Sequence, residues 1–351
     1  MASIAGLDSN AILQIATTWG TAVAAGAGDK FAGEISPNFN VSELVARGIG
    51  SGAQMALNAT IGNYIPTISL VGDLGYRNNW DKLCAAFMGT SGAPAEQNTG
   101  EGDYLHTITF NSTLNPKYLT LAYDDTSTTT AEFPTCAVQS FGIKTTSVPG
   151  YLEGNAELLA GIFNASSSTN TNATNASATW TEGTPELAAV AFDDDYWTND
   201  QSGDALDSGD LYAITSFDLQ LQRPQEIVPE IKGSAGNSAP VKSGAFAGTF
   251  NVTVKELADH AYYTLWAAFT TRKASVTVEG TQIAAGDNKA WSILLPSMQL
   301  ITEPQYALTA EGTNTLSLAF KLLKAGSNPT GMSNTYPHFL VTNTLSTSLL
   351  A

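Results

Sequence analysis

Short runs of alternating apolar and polar residues recur along this chain, each cut off by Gly, Pro, Asn or Asp. A side-chain period of two sends successive residues to opposite faces of an extended strand, so the pattern demands sheets with one buried and one wet face. "PTISLVGDLGY" (Pro66–Tyr76) sets Ile68, Leu70 and Gly72 on one face. "YLHTITF" (Tyr104–Phe110), "YLTLAY" (Tyr118–Tyr123) and "AVQSFGIKT" (Ala137–Thr145) follow, and "ITSFDLQLQ" (Ile214–Gln222), "GTFNVTV" (Gly248–Val254), "SVTVEG" (Ser275–Gly280), "WSILL" (Trp291–Leu295), "MQLIT" (Met298–Thr302) and "TLSLAFKLL" (Thr315–Leu323) continue the rhythm. Runs this short between turn residues predict a mainly β, antiparallel fold of the sandwich or barrel type.

Two segments break the rhythm. "NNWDKLCAAFMG" (Asn78–Gly89) places Trp80, Leu83, Cys84 and Phe87 at i, i+3, i+4 and i+7, one apolar helical stripe. Asn79 is the expected cap, and Gly89 the expected left-handed stop. "KELADHAYYTLWAAF" (Lys255–Phe269) repeats the spacing with Tyr262, Leu265, Trp266 and Phe269, and Asp259 is its candidate cap. Leu83, Phe87, Leu265 and Phe269 are therefore expected in the core.

The helices share a pentapeptide, "LCAAF" (Leu83–Phe87) and "LWAAF" (Leu265–Phe269). Around each the same order occurs: strand, strand, helix, strands, Pro-x-Tyr, strand. The Pro-x-Tyr stretches are "PGYLEGNAELLAGIF" (Pro149–Phe163) and "PQYALTAEGTNTLSLAF" (Pro304–Phe320). This predicts a duplication into two tandem antiparallel β-sandwich or partial-barrel domains, 31–163 and 211–324, each with one flanking α-helix. A length of 351 residues accommodates them. Residues 1–30 and 325–351 read as terminal arms. Residues 164–210 read as a linker or arm, beginning with the Asn/Ser/Thr-rich "NASSSTNTNATNASA" and continuing into the acidic "DDDYWTNDQSGDALDSGD" (Asp193–Asp210).

Composition excludes several functions. The formal net charge is -17, which repels phosphates and anionic membranes and disfavours nucleic-acid binding. Cys84 and Cys136 form no CxxC motif and are expected as unlinked thiols. "MASIAGLDSN" lacks a basic and an apolar signal region, and no uncharged apolar run approaches about 18 residues. The expectation is synthesis in the cytoplasm with no membrane partner.

Chemistry-bearing motifs are sparse. His106, His260 and His338 show no HExxH spacing, and there is no GxSxG, P-loop or strand-linked GxGxxG. "GIGSG" (Gly48–Gly52) carries no Lys and opens no helix. Asp193, Asp195 and Asp200 lack the Gly and Glu of an EF-hand loop, so a solvated loop is the better reading. No carboxylate pair stands out as acid and base.

The ordering of elements resembles the tail tube proteins (major tail proteins) of long-tailed bacteriophages. "ATTWGTAVAAGAGDKFAGEISPNFN" (Ala16–Asn40) is similar to the family's opening, and "ISLVGDLGYRNNWDKLCAAFMG" (Ile68–Gly89) to its strand and helix. "GDYLHTITFNSTLNPKYLTLAYDD" (Gly102–Asp125) resembles its central hairpin, and "FPTCAVQSFGIKTTSVPGYLEGNAELLAGIF" (Phe133–Phe163) the strand pair that follows. The resemblance implies a virion structural protein, neither enzyme nor cofactor binder, made in the host cytoplasm and resident in the tail. It implies rings that stack into a tube, with inner strands of all copies merging into one barrel; duplicated members form trimers with a pseudo-hexameric ring. Implied partners are further copies of the chain, the tape measure, tail tip and tail terminator proteins, and DNA in transient, non-binding contact. The N-terminal stretch, Asn164–Asp210 and Ser327–Ala351 are expected to bridge stacked rings.

The resemblance also assigns a use to the charge, since an acidic lumen does not trap DNA. Glu153, Glu157, Asp218 and Glu311 are the candidate inner acids, because each lies in or beside a strand of the implied sandwich. The alternative functions are a secreted carbohydrate-binding β-sandwich, which a signal peptide would favour, and a β-sandwich glycoside hydrolase, which needs a close carboxylate pair in a pocket.

Overall fold

The computed structural model describes residues 10–45, 59–113, 117–124, 128–180, 185–230, 237–255, 261–305 and 315–351. The first half contains β1 (Ala11–Ala16), β2 (Glu34–Asn38), β3 (Val41–Val45), β4 (Ala59–Tyr64), β5 (Thr67–Asp73), α1 (Trp80–Met88), β6 (Gly89–Ser91), β7 (Ala95–Glu96), β8 (Tyr104–Phe110), β9 (Tyr118–Asp124), β10 (Thr130–Thr145), β11 (Gly150–Tyr151) and β12 (Glu153–Ala160). It is followed by α2 (Asn172–Ser177), β13 (Ala189–Val190), β14 (Asp195–Asp200), β15 (Ile214–Gln222), β16 (Gln225–Glu226), β17 (Val241–Lys242), β18 (Ala247–Val254), α3 (Ala261–Ala267), β19 (Thr271–Ala284), β20 (Asp287–Leu300), β21 (Leu316–Leu322) and β22 (His338–Asn343). The fold is mainly β and antiparallel, as the alternation requires.

Sixteen strands form one sheet, whose main path is β2-β5-β12-β10-β15-β18-β21-β20-β22-β8-β6. Within it one pairing order occurs twice: β1-β9-β10-β12-β5-β2 and β14-β19-β20-β21-β18-β15. The two runs join where β15 pairs with the end of β10, Ser140–Thr145 against Phe217–Gln222. One apolar cluster spans both, so neither sheet nor core is interrupted at the limits drawn from the sequence. The long strand β10 serves three neighbours by shifting register, between Phe133 and Cys136 and again after Val138. Pro134 sits in the first shift, where a missing N–H costs no ladder bond.

Helix α1 is buried almost all round. Leu83 and Phe87 are fully buried, with Trp80 and Cys84 beside them. The Phe87 ring stacks against Phe141 at 6.0 Å, and Trp80 donates to the Ala32 carbonyl at 3.0 Å. Gly89 ends the helix in the left-handed region, at φ 87°. Asn79 itself adopts φ 71° and makes no side-chain cap; its amide instead donates to the Gly28 and Lys30 carbonyls at 3.0 and 2.7 Å, tying the helix to the connection between β1 and β2. Cys84 and Cys136 are free and buried, and burial raises both thiol pKa values.

The second helix departs from expectation. Leu265 is half-buried, and Phe269 is 68% exposed at φ 53°, just beyond the helix end. Phe269 is therefore not core: α3 leads within a few residues into β19, whereas α1 leads into β6 and β8, which fold over it. Asp259, Glu311 and residues 1–9 lie outside the described residues.

The described residues of the segments read as arms pack against the sheet. β1 pairs with β9, and its Ile12 and Leu13 are fully buried. β22 lies between β20 and β8, with Phe339 and Val341 fully buried. The Asn/Ser/Thr-rich segment closes over a buried carboxylate, Glu132, which accepts from Asn164, Ser167 and Asn170 at 3.1, 2.7 and 2.7 Å. Asp124 likewise accepts from Asn10, Thr130 and Asn175 at 3.1, 3.2 and 2.9 Å. Polar composition hides such packing, because neutral donors are what a buried carboxylate needs. β14 pairs with β19, so Asp195–Asp200 of the acidic stretch is strand rather than loop.

His106 and His338 lie buried on adjacent strands. His106 Nε2 pairs with Asn343 Oδ1 at 3.1 Å and His338 Nδ1 with the Tyr336 carbonyl at 3.0 Å; burial lowers both pKa values. Both rings thus resist protonation in the folded state, while the unfolded chain takes up protons below about pH 6.5. Their contribution is present above that pH and is lost as pH falls towards the depressed folded values. The urea midpoint should therefore drop between pH 7 and pH 5, and less so in a chain carrying His106→Gln and His338→Gln. Equal slopes in the two chains would refute this.

Candidate functional site

The alternation in seven neighbouring strands, β2, β5, β12, β10, β15, β18 and β21, is in phase from strand to strand. The large apolar side chains mostly face the core, and the opposite face forms rows of mostly polar residues. One row runs Asp73, Glu153, Lys144, Asp218, Asn251, Ala319. The next runs Val71, Asn155, Gly142, Gln220, Thr249, Lys321, and a third Ser36, Ser69, Glu157, Ser140, Gln222, Ala247. On the buried side the same strands place Leu70, Ala156, Ile143, Leu219, Phe250 and Phe320. The wet face crosses the junction between the two runs without a break.

Glu153, Glu157 and Asp218 all lie on this face. Glu153 pairs with Lys144 at 2.8 Å, both about one-third exposed, and Asp218 accepts from Gln220 Nε2 at 2.7 Å. An exposed pair of this kind adds little stability, about 0–1 kcal/mol; its consequence is to neutralise Lys144. Gly142 is the point where a side chain has no room: a Cβ there would lie 2.5 Å from Gln220 and 2.7 Å from Asn155.

Glu34 and Asp73 also point to this face, and sequence reasoning did not select them. The charged groups are thus five carboxylates, Glu34, Asp73, Glu153, Glu157 and Asp218, against two lysines, Lys144 and Lys321. No arginine lies on these described strand positions. Period-two patterning marked the strand runs; that their wet faces add up to one acidic surface follows only from the pairing order.

Elsewhere several charged groups are paired. Asp29 pairs with Lys82 at 3.0 Å, and Glu186 with Lys289 at 3.1 Å. Asp103 is held by the Asn98 backbone N–H and amide at 3.0 and 2.9 Å, and that amide also reaches Asp287. This carboxylate pair stabilises a turn. No group of three His, Cys, Asp or Glu side chains suited to a metal occurs among the described residues. No helix among them is long and apolar enough to cross a membrane.

The surface is a broad, hydrogen-bonding, net-negative wall rather than a cleft around a reacting group. A family model described as "Phage tail tube protein" matches residues 8–322. No curated protein matches the chain.

Proposed function

The chain belongs to the phage tail tube protein family and is a structural component of the virion tail, and from that premise we propose that copies of it close into rings and stack into a tube along which DNA passes. The acidic seven-strand face is the lumen wall. The observation that supports this most directly is its charge: five carboxylates against two lysines, one of them already paired, with no arginine on the described strand positions. Every phosphate neutralised by a wall cation would release counterions and hold the DNA. A wall short of free cations avoids that trap. Its repulsion is screened beyond about 8 Å at physiological salt, so it acts only near the surface.

Ring formation accords with the sheet edge. β2 ends the main path, and an open strand edge is a template for pairing with another chain. Closing the sheet into a barrel removes such edges. We read the two six-strand runs as a duplicated tube unit, so that three chains supply six units per ring. Tape measure, tail terminator and tail tip proteins are the proposed partners in the assembled tail. The role calls for shape and charge, and we propose no catalytic activity and no cofactor.

Negative-stain microscopy of the concentrated protein tests assembly, with hollow tubes the expected result. Glu153→Lys with Glu157→Lys tests the wall, turning five acids and two bases into three acids and four bases. Tubes should still form, because these side chains are solvent-facing. DNA ejection should slow, most at low salt, where attraction is least screened. Unchanged ejection at every salt concentration would leave the acidic surface a solubility feature only.

A further inference from the structure

A groove of about 410 Å³ opens at one end of the wall strands, where β10 and β18 end and β14 and β15 begin. Val148, Phe217, Val276 and Val278 line it, and Phe192 and Leu211 stand at it 83% and 54% exposed. Its polar groups are largely engaged. Asp194 accepts from the Ala191 and Glu279 backbone N–H groups at 2.6 and 2.9 Å, and Thr145 donates to the Ser147 carbonyl at 2.9 Å. A small-molecule site needs convergent polar groups to orient its ligand. An exposed apolar surface without them marks a docking face for another protein surface.

A matching surface lies at the other end of the same strands. β15 starts in the groove, at Ile214–Phe217, and its far end pairs with the start of β18, Gln222 opposite Ala247. Beyond that end β16 pairs with β17, Glu226 opposite Val241. The base of this strand pair is pinned. Gln139 donates to the Gln225 carbonyl at 2.6 Å, Gln225 donates to the Val138 carbonyl at 2.9 Å, and the Ser243 N–H donates to the Pro224 carbonyl at 3.1 Å. Val241 is nevertheless 46% exposed on it. Charges match as well. The groove carries Lys255 at the end of β18 and Asp195 at the start of β14, while Val241 has Glu226 opposite it and Lys242 beside it, one of each sign on both surfaces. At about 3.3 Å per residue, the nine residues of β15 hold the two surfaces about 25 Å apart, so a chain cannot seat its own strand pair.

We infer that β16 and β17 of a second copy seat on this groove, with Val241 of that copy against Leu211 and Tyr212. This rests on the self-assembly reading above and specifies the contact between stacked rings. Groove and strand pair occupy opposite ends of one subunit, so the contact is head-to-tail. A copy filled at one end leaves its other end for the next, and such an interface propagates instead of closing on itself. It therefore runs along the tube and leaves the open edge of β2 for neighbours within the ring. The pinned base of β16 and β17 keeps the ordering cost of the contact low, because the backbone that carries Val241 is fixed before docking.

The test assembles a full-length chain carrying both Leu211→Cys and Val241→Cys and adds a short bismaleimide. Cys84 and Cys136 are buried and should not react. A denaturing gel should show a ladder of linked copies that runs past three, the number proposed for one ring. A ladder that stops at three places the contact within a ring, and tubes of this chain without linked copies show no contact at all; either result overturns the inference and leaves the tube reading standing. A parental chain that forms no tubes overturns both. Val241→Asp is the second measurement. It should keep the parental unfolding midpoint and lower tube yield at least about tenfold, as loss of an anchor from an apolar pocket does. Parental tube yield in that variant overturns the inference. Maleimide labelling of Leu211→Cys alone should be rapid in free subunits and blocked in tubes; equal rates would assign the groove to an external partner instead of a second copy.

Discussion

Ending the chain at Gly326 should abolish cooperative folding. The deleted part includes β22, which lies inside the sheet between β20 and β8. Phe339 and Val341 are fully buried, Leu349 and Leu350 nearly so. At about 1.5–3 kcal/mol for each buried side chain, their loss amounts to roughly 6–12 kcal/mol, comparable with the roughly 5–15 kcal/mol that holds a typical protein together. The deletion also removes Asn343, whose amide donates to the Tyr76 carbonyl at 3.0 Å and whose oxygen accepts from Leu345 N–H at 2.8 Å. It leaves the edges of β20 and β8 open to aggregation. Urea unfolding followed by circular dichroism reads the result. A sigmoidal transition with the full-length slope in the truncated chain would show that β22 is dispensable.

Equivalent phenylalanines should behave in opposite ways. Phe87→Ala should destabilise the subunit by about 3–5 kcal/mol, and Leu83→Ala by about 2–5 kcal/mol, because both leave cavities in a closed core. The Phe87 variant also loses the ring contacts with Phe141 and Phe246. Phe269→Ala should stay within about 0.5 kcal/mol of the parent in the unassembled subunit, as exposed positions usually do. Urea midpoints of the three variants supply the comparison. Equal costs at positions 87 and 269 would mean that α3 is packed as tightly as α1.

Much of this arrangement was legible in local patterns. The strand runs, the helical stripe of α1 and its glycine stop follow from side-chain periods of two and 3.6 and from the freedom of Gly89 at positive φ. Glu153, Glu157 and Asp218, chosen because each lies in or beside a strand of the implied sandwich, alternate with buried neighbours in the structure. The packing of the described terminal and Asn-rich segments was not legible for one shared reason. Their partners are far away in the chain: β22 is a single short strand that inserts between strands from both halves, and Asn164, Ser167 and Asn170 donate to Glu132.

The amino-acid sequence by itself determined the class of fold, the face each strand presents and the near-identity of "LCAAF" and "LWAAF". Only the tertiary structure decided that one of these helices is core and the other a surface. It also decided that seven wet faces join into one acidic wall, and that Lys144 on that wall is neutralised by Glu153 at 2.8 Å. The physical reason is range. Periodicity records which side of an element avoids water, whereas burial and net surface charge depend on which distant strands lie alongside, and no local pattern encodes that pairing.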